Sequence, residues 1–467
     1  MKKIILTALA CALIALVVPP PALVAAGSEL PTPEKIVLGN GLTVYFLRNP
    51  DLPLVSFRMV IRGAGSAFEP AEAEGVANLV AALMTKGTAK MGAEAVAEAL
   101  DFMGASLFVS ATEEYAQVSG DGLAGQFPRL MEIASDCLTG PAFKDDEFAK
   151  ERAQRIDGLK AAKDNPGAAV RYYFQKAYFG GHPMGHLASG TERSLGSMTV
   201  QAVKDFYKSR YRPDRAIAAV VGDVDAAALK SLLEKTLGLW RSPAGAAPSD
   251  VIPPLPKPNG RKLLLVDKPD ATQAYFVLGA PGYAMGDKVT PQAAIMNTLW
   301  GGRFTSWLNT ELRIKRGLTY GASSTFRTWL AGGIFSASSY TKNDKIGEML
   351  DITFGLLAKA AKEGFSTEEV ESARNYVQGQ FPPTLETNAS KAGAYVRLAF
   401  YKLGFDYYDK YMTAIGQVSV ADAKAAAAAL LPRNNYVLVV VGKAAEIRPL
   451  LAKFGSWQEK KIIDPGF

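Results

Sequence analysis

Thiol and imidazole are scarce in this 467-residue chain, which has two cysteines, Cys11 and Cys137, and two histidines, His182 and His186. Cys11 sits in an N-terminal apolar run. With that run set aside one cysteine remains, which excludes an internal disulfide and any zinc cluster built on thiolates. The histidines are four residues apart, but Pro183 and Gly185 between them argue against the helix that would bring both rings to one ion. A loop or packing role is expected for them instead. Clustered charge is missing too: Lys and Arg total 52 against 45 Asp and Glu, a formal +7, and beyond Lys2-Lys3 the surplus is scattered in pairs such as Lys315-Arg316 and Lys460-Lys461. A nucleic-acid groove therefore has no support.

Long apolar runs are limited to Ile4–Val18, 15 residues closed by Pro19-Pro20-Pro21. This is short for a membrane span. With Lys2-Lys3 before it and the small residues Val24-Ala25-Ala26 after it, the run reads as a secretory signal peptide over residues 1–26, cleaved near Gly27. Export, to the periplasm of a bacterium, is the expected localisation. The competing readings are an uncleaved N-terminal anchor and a lipoprotein at Cys11, the latter weakened by Ala8 where Leu is usual. Loss of Lys2 and Lys3 would leave 50 basic and 45 acidic residues, or +5. The rest, in a chain 48% hydrophobic and 21% charged, can bury a large core and should divide into two or more domains.

What is present is a duplication. Six prolines between Ser242 and Gly260 mark an extended linker. On either side the same order recurs: Leu195–Val200, a helix and Ile217–Gly222 are echoed by Ile415–Val420, a helix and Val437–Gly442. Val200 to Val420 and Gly222 to Gly442 share an offset of 220 residues, far beyond solenoid periods of about 20 to 50. Short β-branched runs at Ile217–Val221 and Lys262–Val266 predict strands, and helical spacing predicts helices over Gly75–Met84, Ala95–Phe102 and Lys345–Lys362. The expected fold class is α+β: two homologous domains, 30–241 and 261–460, each with helices packed on a mostly antiparallel sheet.

Gly75-Val-Ala-Asn-Leu-Val-Ala-Ala-Leu-Met-Thr-Lys-Gly-Thr88 has the frame of the inverted zinc motif His-x-x-Glu-His, in which two helical histidines bind the ion and the Glu activates water. The three positions are Asn78, Ala81 and Ala82, which cannot supply the imidazole, thiolate or carboxylate that zinc takes. Around this helix stand Gly39–Tyr45, Gly63–Pro70 and Lys86-Gly-Thr88, and further on His182-Pro183, Leu195–Tyr211 and Val220–Asp225. This ordered set resembles the pitrilysin/insulinase family, which includes the mitochondrial processing peptidases, and the resemblance covers most of the chain.

The resemblance implies two-domain subunits that close as a clamshell around a peptide. The family's third zinc ligand is a Glu seven residues after a supporting Glu; here Glu151 falls at the supporting position and Gly158 at the ligand position. A register shift would recruit Asp157, but one Asp without its histidines leaves an ion mostly water-bound. In the edge strand that lines up substrate, Leu107-Phe108-Val109 replaces the family's Leu-Asn-Ala, so a side chain that could hydrogen-bond a peptide has become a hydrophobe. In Leu299–Tyr320, by contrast, Arg313 and Tyr320 match the pair that in active members reaches bound peptide near the zinc. A guanidinium fork suits peptide carbonyls and a phenol suits a developing oxyanion. Gly301 and Gly302 either let a peptide approach the backbone or make a turn. No cofactor is expected in this chain, with zinc in a homologous catalytic partner subunit that bears the intact motif. The expected role is a non-catalytic, substrate-binding subunit of an exported heteromeric zinc endopeptidase acting on peptides or unfolded proteins. The alternative is a peptide-binding or structural scaffold of the same fold, and an autonomous protease would need ligands the sequence does not contain.

Overall fold

In the computed structural model residues 30–464 are described; the expected signal peptide and Cys11 lie outside them. The first half builds a six-stranded sheet from β1 (Glu34–Val37), β2 (Thr43–Arg48), β3 (Leu54–Arg62), β4 (Ser106–Ala111), β5 (Tyr115–Leu123) and β6 (Ala216–Gly222), in the order β1-β2-β6-β3-β5-β4. The second half builds another from β7 (Arg261–Asp267), β8 (Gln273–Pro281), β9 (Ala322–Trp329), β10 (Gly332–Lys342), β11 (Tyr436–Gly442) and β12 (Gln458–Lys461), in the order β12-β7-β11-β8-β10-β9. The 220-residue offset is visible in the elements themselves. Helix Val200–Arg210 and β6 correspond to helix Val420–Leu430 and β11, and the two helices start from equivalent hydroxyl caps, Thr199 and Ser419. Both sheets are mixed: β2 pairs β6 in parallel and β7 pairs both β11 and β12 in parallel, while the other neighbours are antiparallel.

β5 alternates buried and half-buried residues, as a strand covered more fully on one face does. β11 is buried at all seven positions, so a strand of that composition must be covered on both faces. The inner face takes helices of its own half. The outer face takes a helix from the other half. Helix Pro166–Phe179, from the first half, lies across β8 and β11, and helix Asn388–Phe400, from the second, lies across β3 and β6. The first exchange buries Val170, Tyr173 and Phe174 with Val277, Val437, Val439 and Val441. The second buries Ala392, Tyr395 and Val396 with Val60, Ala219 and Val221.

The two exchanged helices begin 222 residues apart, and their central tyrosines repeat the same relation. Tyr173 donates to the Ile462 carbonyl (3.4 Å) near one end of the chain, and Tyr395 to the Pro31 carbonyl (2.6 Å) near the other. Residues 243–259 carry no regular secondary structure and run along the seam, where Asp250 pairs with Arg215 (2.7 Å) and Arg62 (3.6 Å). The sequence boundary at 242–260 is thus not the packing boundary, because each half finishes the other.

Gly279 on β8 shows how closely the exchange fits: a Cβ there would meet Phe174 Cζ at 2.2 Å. Gly279→Ala should lower stability by about 1–3 kcal/mol, the range for overpacking a core, read from the denaturation midpoint in urea. In a Phe174→Leu background the same alanine should cost less, and equal costs in both backgrounds would contradict the packing account.

Candidate functional site

Helix Val76–Leu83 is the frame in which a zinc motif would sit, and its surroundings hold it rigidly. Two of the backbone donors at its N-terminus are taken by the buried Glu69 carboxylate, which accepts from Gly75 N–H (2.9 Å) and Ala77 N–H (2.8 Å). Burial pushes the Glu69 carboxyl well above the ordinary carboxylate range, against the opposing pull of those two donors. His186 stands behind this cap, with Nδ1 3.2 Å from the Ser66 carbonyl and 3.7 Å from Glu69. His182 caps its own loop by accepting Met184 N–H and faces the Pro253 carbonyl. The two imidazoles thus have separate partners within and beside a loop.

At the motif positions the chemistry is inverted. Asn78 uses its side-chain oxygen to accept Ala111 N–H at the end of β4 (3.4 Å), Ala81 is buried, and Ala82 is half-buried. Helix Asp145–Asp164 brings Glu151, Asp157 and Gly158. Gly158 is exposed, with nothing within 4 Å of where a Cβ would stand, and Asp157 is a solvent-facing partner of Lys160 (3.7 Å). Between Glu151 and Gly158 lies a residue that sequence reasoning missed. Arg155 is largely buried, donates to the Asn78 carbonyl (3.0 Å), and lies 3.9 Å from Glu151, which also faces Lys86 at 3.8 Å. Burial lowers the Arg155 pKa, and Glu151 and Glu69 oppose that shift.

Asn78 Nδ2 and Arg155 Nε are both buried without an acceptor. A metal needs converging lone pairs, whereas this helix pair presents unpaired N–H donors and a fixed cation. These residues do not fit a zinc ion. Among the described residues, no group of three or more His, Cys, Asp or Glu could hold a metal. The only signal for Arg155 in the sequence was its i, i+4 spacing from Glu151.

β4 and β9 are edge strands, each paired on one side only. Phe108 on β4 is 69% exposed. Near β9, the chain forms two wide helical turns, Thr298–Gly302 and Thr310–Lys315, flanking the single turn Trp307–Asn309. Both wide turns have π geometry, which is frequent at functional sites. Asn309 braces the region, donating to the Phe304 carbonyl (2.6 Å) and accepting Ala322 N–H (3.3 Å). The glycines have an internal explanation. A Cβ at Gly301 would stand 2.4 Å from Ser324 Oγ on β9, and one at Gly302 would meet Asn297 Nδ2 at 2.7 Å. Of the two expectations for this pair, the turn has a packing reason: at both positions a Cβ would run into Ser324 of β9 or Asn297.

Arg313 and Tyr320 differ from the glycines. The Arg313 guanidinium lies over the exposed Phe304 ring (4.7 Å to its centre) with no carboxylate in ion-pair range among the described residues. Tyr320, 80% exposed, precedes β9 with its hydroxyl uncommitted. No hydrogen bond or ring contact among the described residues joins either one to Asn78, Ala81, Ala82 or Gly158. Close to β9, Glu113 in the β4–β5 turn pairs with Arg327 of β9 across the two halves (2.5 Å).

Comparison with known proteins agrees with this architecture. Residues 43–192 match the model described as Insulinase (Peptidase family M16), and residues 197–377 match Peptidase M16 inactive domain. An uncharacterized zinc protease of Mycobacterium tuberculosis is 26% identical over 90% of this chain and 95% of its own length, and one of Bacillus subtilis is 24% identical over 75% and 84%. A Pseudomonas fluorescens crystal structure described as a peptidase M16 inactive domain superposes with a TM-score of 0.81 at 25% identity, covering 88% of this chain and 97% of that one. A Helicobacter pylori protease shares the fold with a TM-score of 0.82 at 22% identity, over 89% and 100% of the two chains. With both halves matched by models of one family and the whole two-sheet architecture shared, the chain belongs to the insulinase family, peptidase family M16.

Proposed function

We propose that this chain is the non-catalytic, substrate-binding subunit of an exported heteromeric zinc endopeptidase that acts on peptides or unfolded proteins. The carrying observation is the contrast between two sites. Where the motif would bind metal, the donors Asn78 Nδ2 and Arg155 stand in place of ligands, whereas Arg313 and Tyr320 have no ion pair or hydrogen bond of their own among the described residues. An arginine and a tyrosine left uncommitted at the surface are suited to a peptide held by another chain. The relatives named as zinc proteases supply the partner's chemistry: a homologous subunit with an intact His-x-x-Glu-His would hold zinc and activate water. Peptide would add as a strand to an exposed sheet edge, with main-chain bonds giving affinity and modest sequence preference. The leader-like residues 1–26 support export.

Mixing this chain with a homologous peptidase that carries the intact motif should raise hydrolysis of an unfolded-protein substrate above either component alone. No gain on mixing would remove the subunit reading and leave the scaffold alternative. In the active mixture, Arg313→Ala or Tyr320→Phe should lower kcat about 10-fold to 10³-fold, as expected for losing a positioned donor, with Tm nearly unchanged in Tyr320→Phe because that side chain is exposed. A second measurement probes the inverted site. Asn78→His, Ala81→Glu and Ala82→His combined should bind zinc weakly in competition with a chromophoric chelator. Adding Arg155→Ala should tighten binding at least about tenfold, because a fixed cation opposes a divalent ion nearby; equal affinity in both backgrounds would show that Arg155 does not guard the site.

A further inference from the structure

A cavity of about 620 Å³ opens on the face of the first sheet opposite helix Val76–Leu83. Alternation along the strands puts Arg58 and Val60 of β3 and Tyr115 and Gln117 of β5 on this face. The exchanged helix Asn388–Phe400, the segment 283–290 and helix Tyr407–Gln417 close it. The volume falls within the range of small-molecule sites. Eight of the 23 lining residues are aromatic: among them Tyr283 packs on Phe326 (5.0 Å between ring centres), and Tyr407 and Tyr411 lie parallel at 6.2 Å.

Two arginines enter this lining and their situations differ. Arg58 is neutralised by both oxygens of Asp121 at 3.0 Å. Arg397 has no carboxylate within ion-pair distance among the described residues, and its neighbours are the Tyr401 ring (5.9 Å) and Met285 Sδ (4.0 Å). The acid whose charge it feels, Glu114, is already held by Leu330 N–H (2.8 Å) and the Tyr401 hydroxyl (2.7 Å). A guanidinium exposed at the cavity with no carboxylate partner and a phenol ring beside it suits an anion with an aromatic body.

Gly393 adds an independent observation. It lies one turn before Arg397 in the interior of the helix, where glycine is unfavourable relative to alanine, and nothing lies within 4 Å of where its Cβ would be. No neighbour demands a glycine there. The missing side chain leaves the cavity open beside the guanidinium.

We propose that this cavity binds an aromatic carboxylate, with its ring among the tyrosines and its carboxylate on Arg397. The same chemistry occurs in a free aromatic acid and in a peptide ending in an aromatic residue. The inference does not rest on the subunit reading. Calorimetric titration of the whole chain with 3-phenylpropionate and with its amide should show the acid binding at least tenfold more tightly. Arg397→Gln should erase that preference, and Gly393→Leu should abolish binding of both while leaving Tm unchanged or raised. Ala-Ala-Phe with a free terminus binding as well as 3-phenylpropionate would assign the site to peptide termini; binding of the small acid alone would assign it to free acids. Equal affinity for acid and amide, retention of the preference in Arg397→Gln, or no binding of either acid at millimolar concentration would overturn the proposal.

Discussion

Each sheet in this protein is covered on its outer face by a helix belonging to the other half of the chain. Helix Pro166–Phe179 completes β8 and β11, and helix Asn388–Phe400 completes β3 and β6. Strands as apolar as Tyr436–Gly442 would otherwise expose a continuous hydrophobic face, a strong drive to associate or aggregate. Other features follow from this constraint. Through Tyr173 and Tyr395 the exchanged helices hold the Ile462 and Pro31 carbonyls, and Asn388–Phe400 also forms a wall of the Arg397 cavity.

Much of the architecture was legible in the sequence because it is periodic. The 220-residue echo, the proline-rich segment and the strand and helix runs depend on local patterning, and the elements agree with them. The exchange was not legible. Hydrophobic spacing tells that Val170, Tyr173 and Phe174 share a face, but the sequence does not encode which sheet receives it. The cue lay elsewhere, in the uninterrupted apolar run of β11, which signals burial on both faces.

The candidate site divides in the same way. That Asn78, Ala81, Ala82 and Gly158 present no imidazole, thiolate or carboxylate is legible from residue chemistry alone. The part played by Arg155 is not, because a guanidinium becomes significant only when its burial and its carbonyl partner are known. Gly301 and Gly302 were legible only as an open choice. A glycine pair beside an edge strand suggests room for a ligand, and the room turns out to be filled by Ser324 and Asn297.

The exchange of helices also bears on ancestry. A half-length chain of either repeat, folded alone, would have an uncovered sheet face and a helix with nothing to cover. Two such chains trading helices about a twofold axis would satisfy both at once, as a domain-swapped homodimer does. The present molecule has that topology with the two copies fused through residues 243–259. Fused copies need not remain identical: in the first half Arg155 packs on the helix carrying Asn78, and the second half presents Arg313 and Tyr320 near its edge strand.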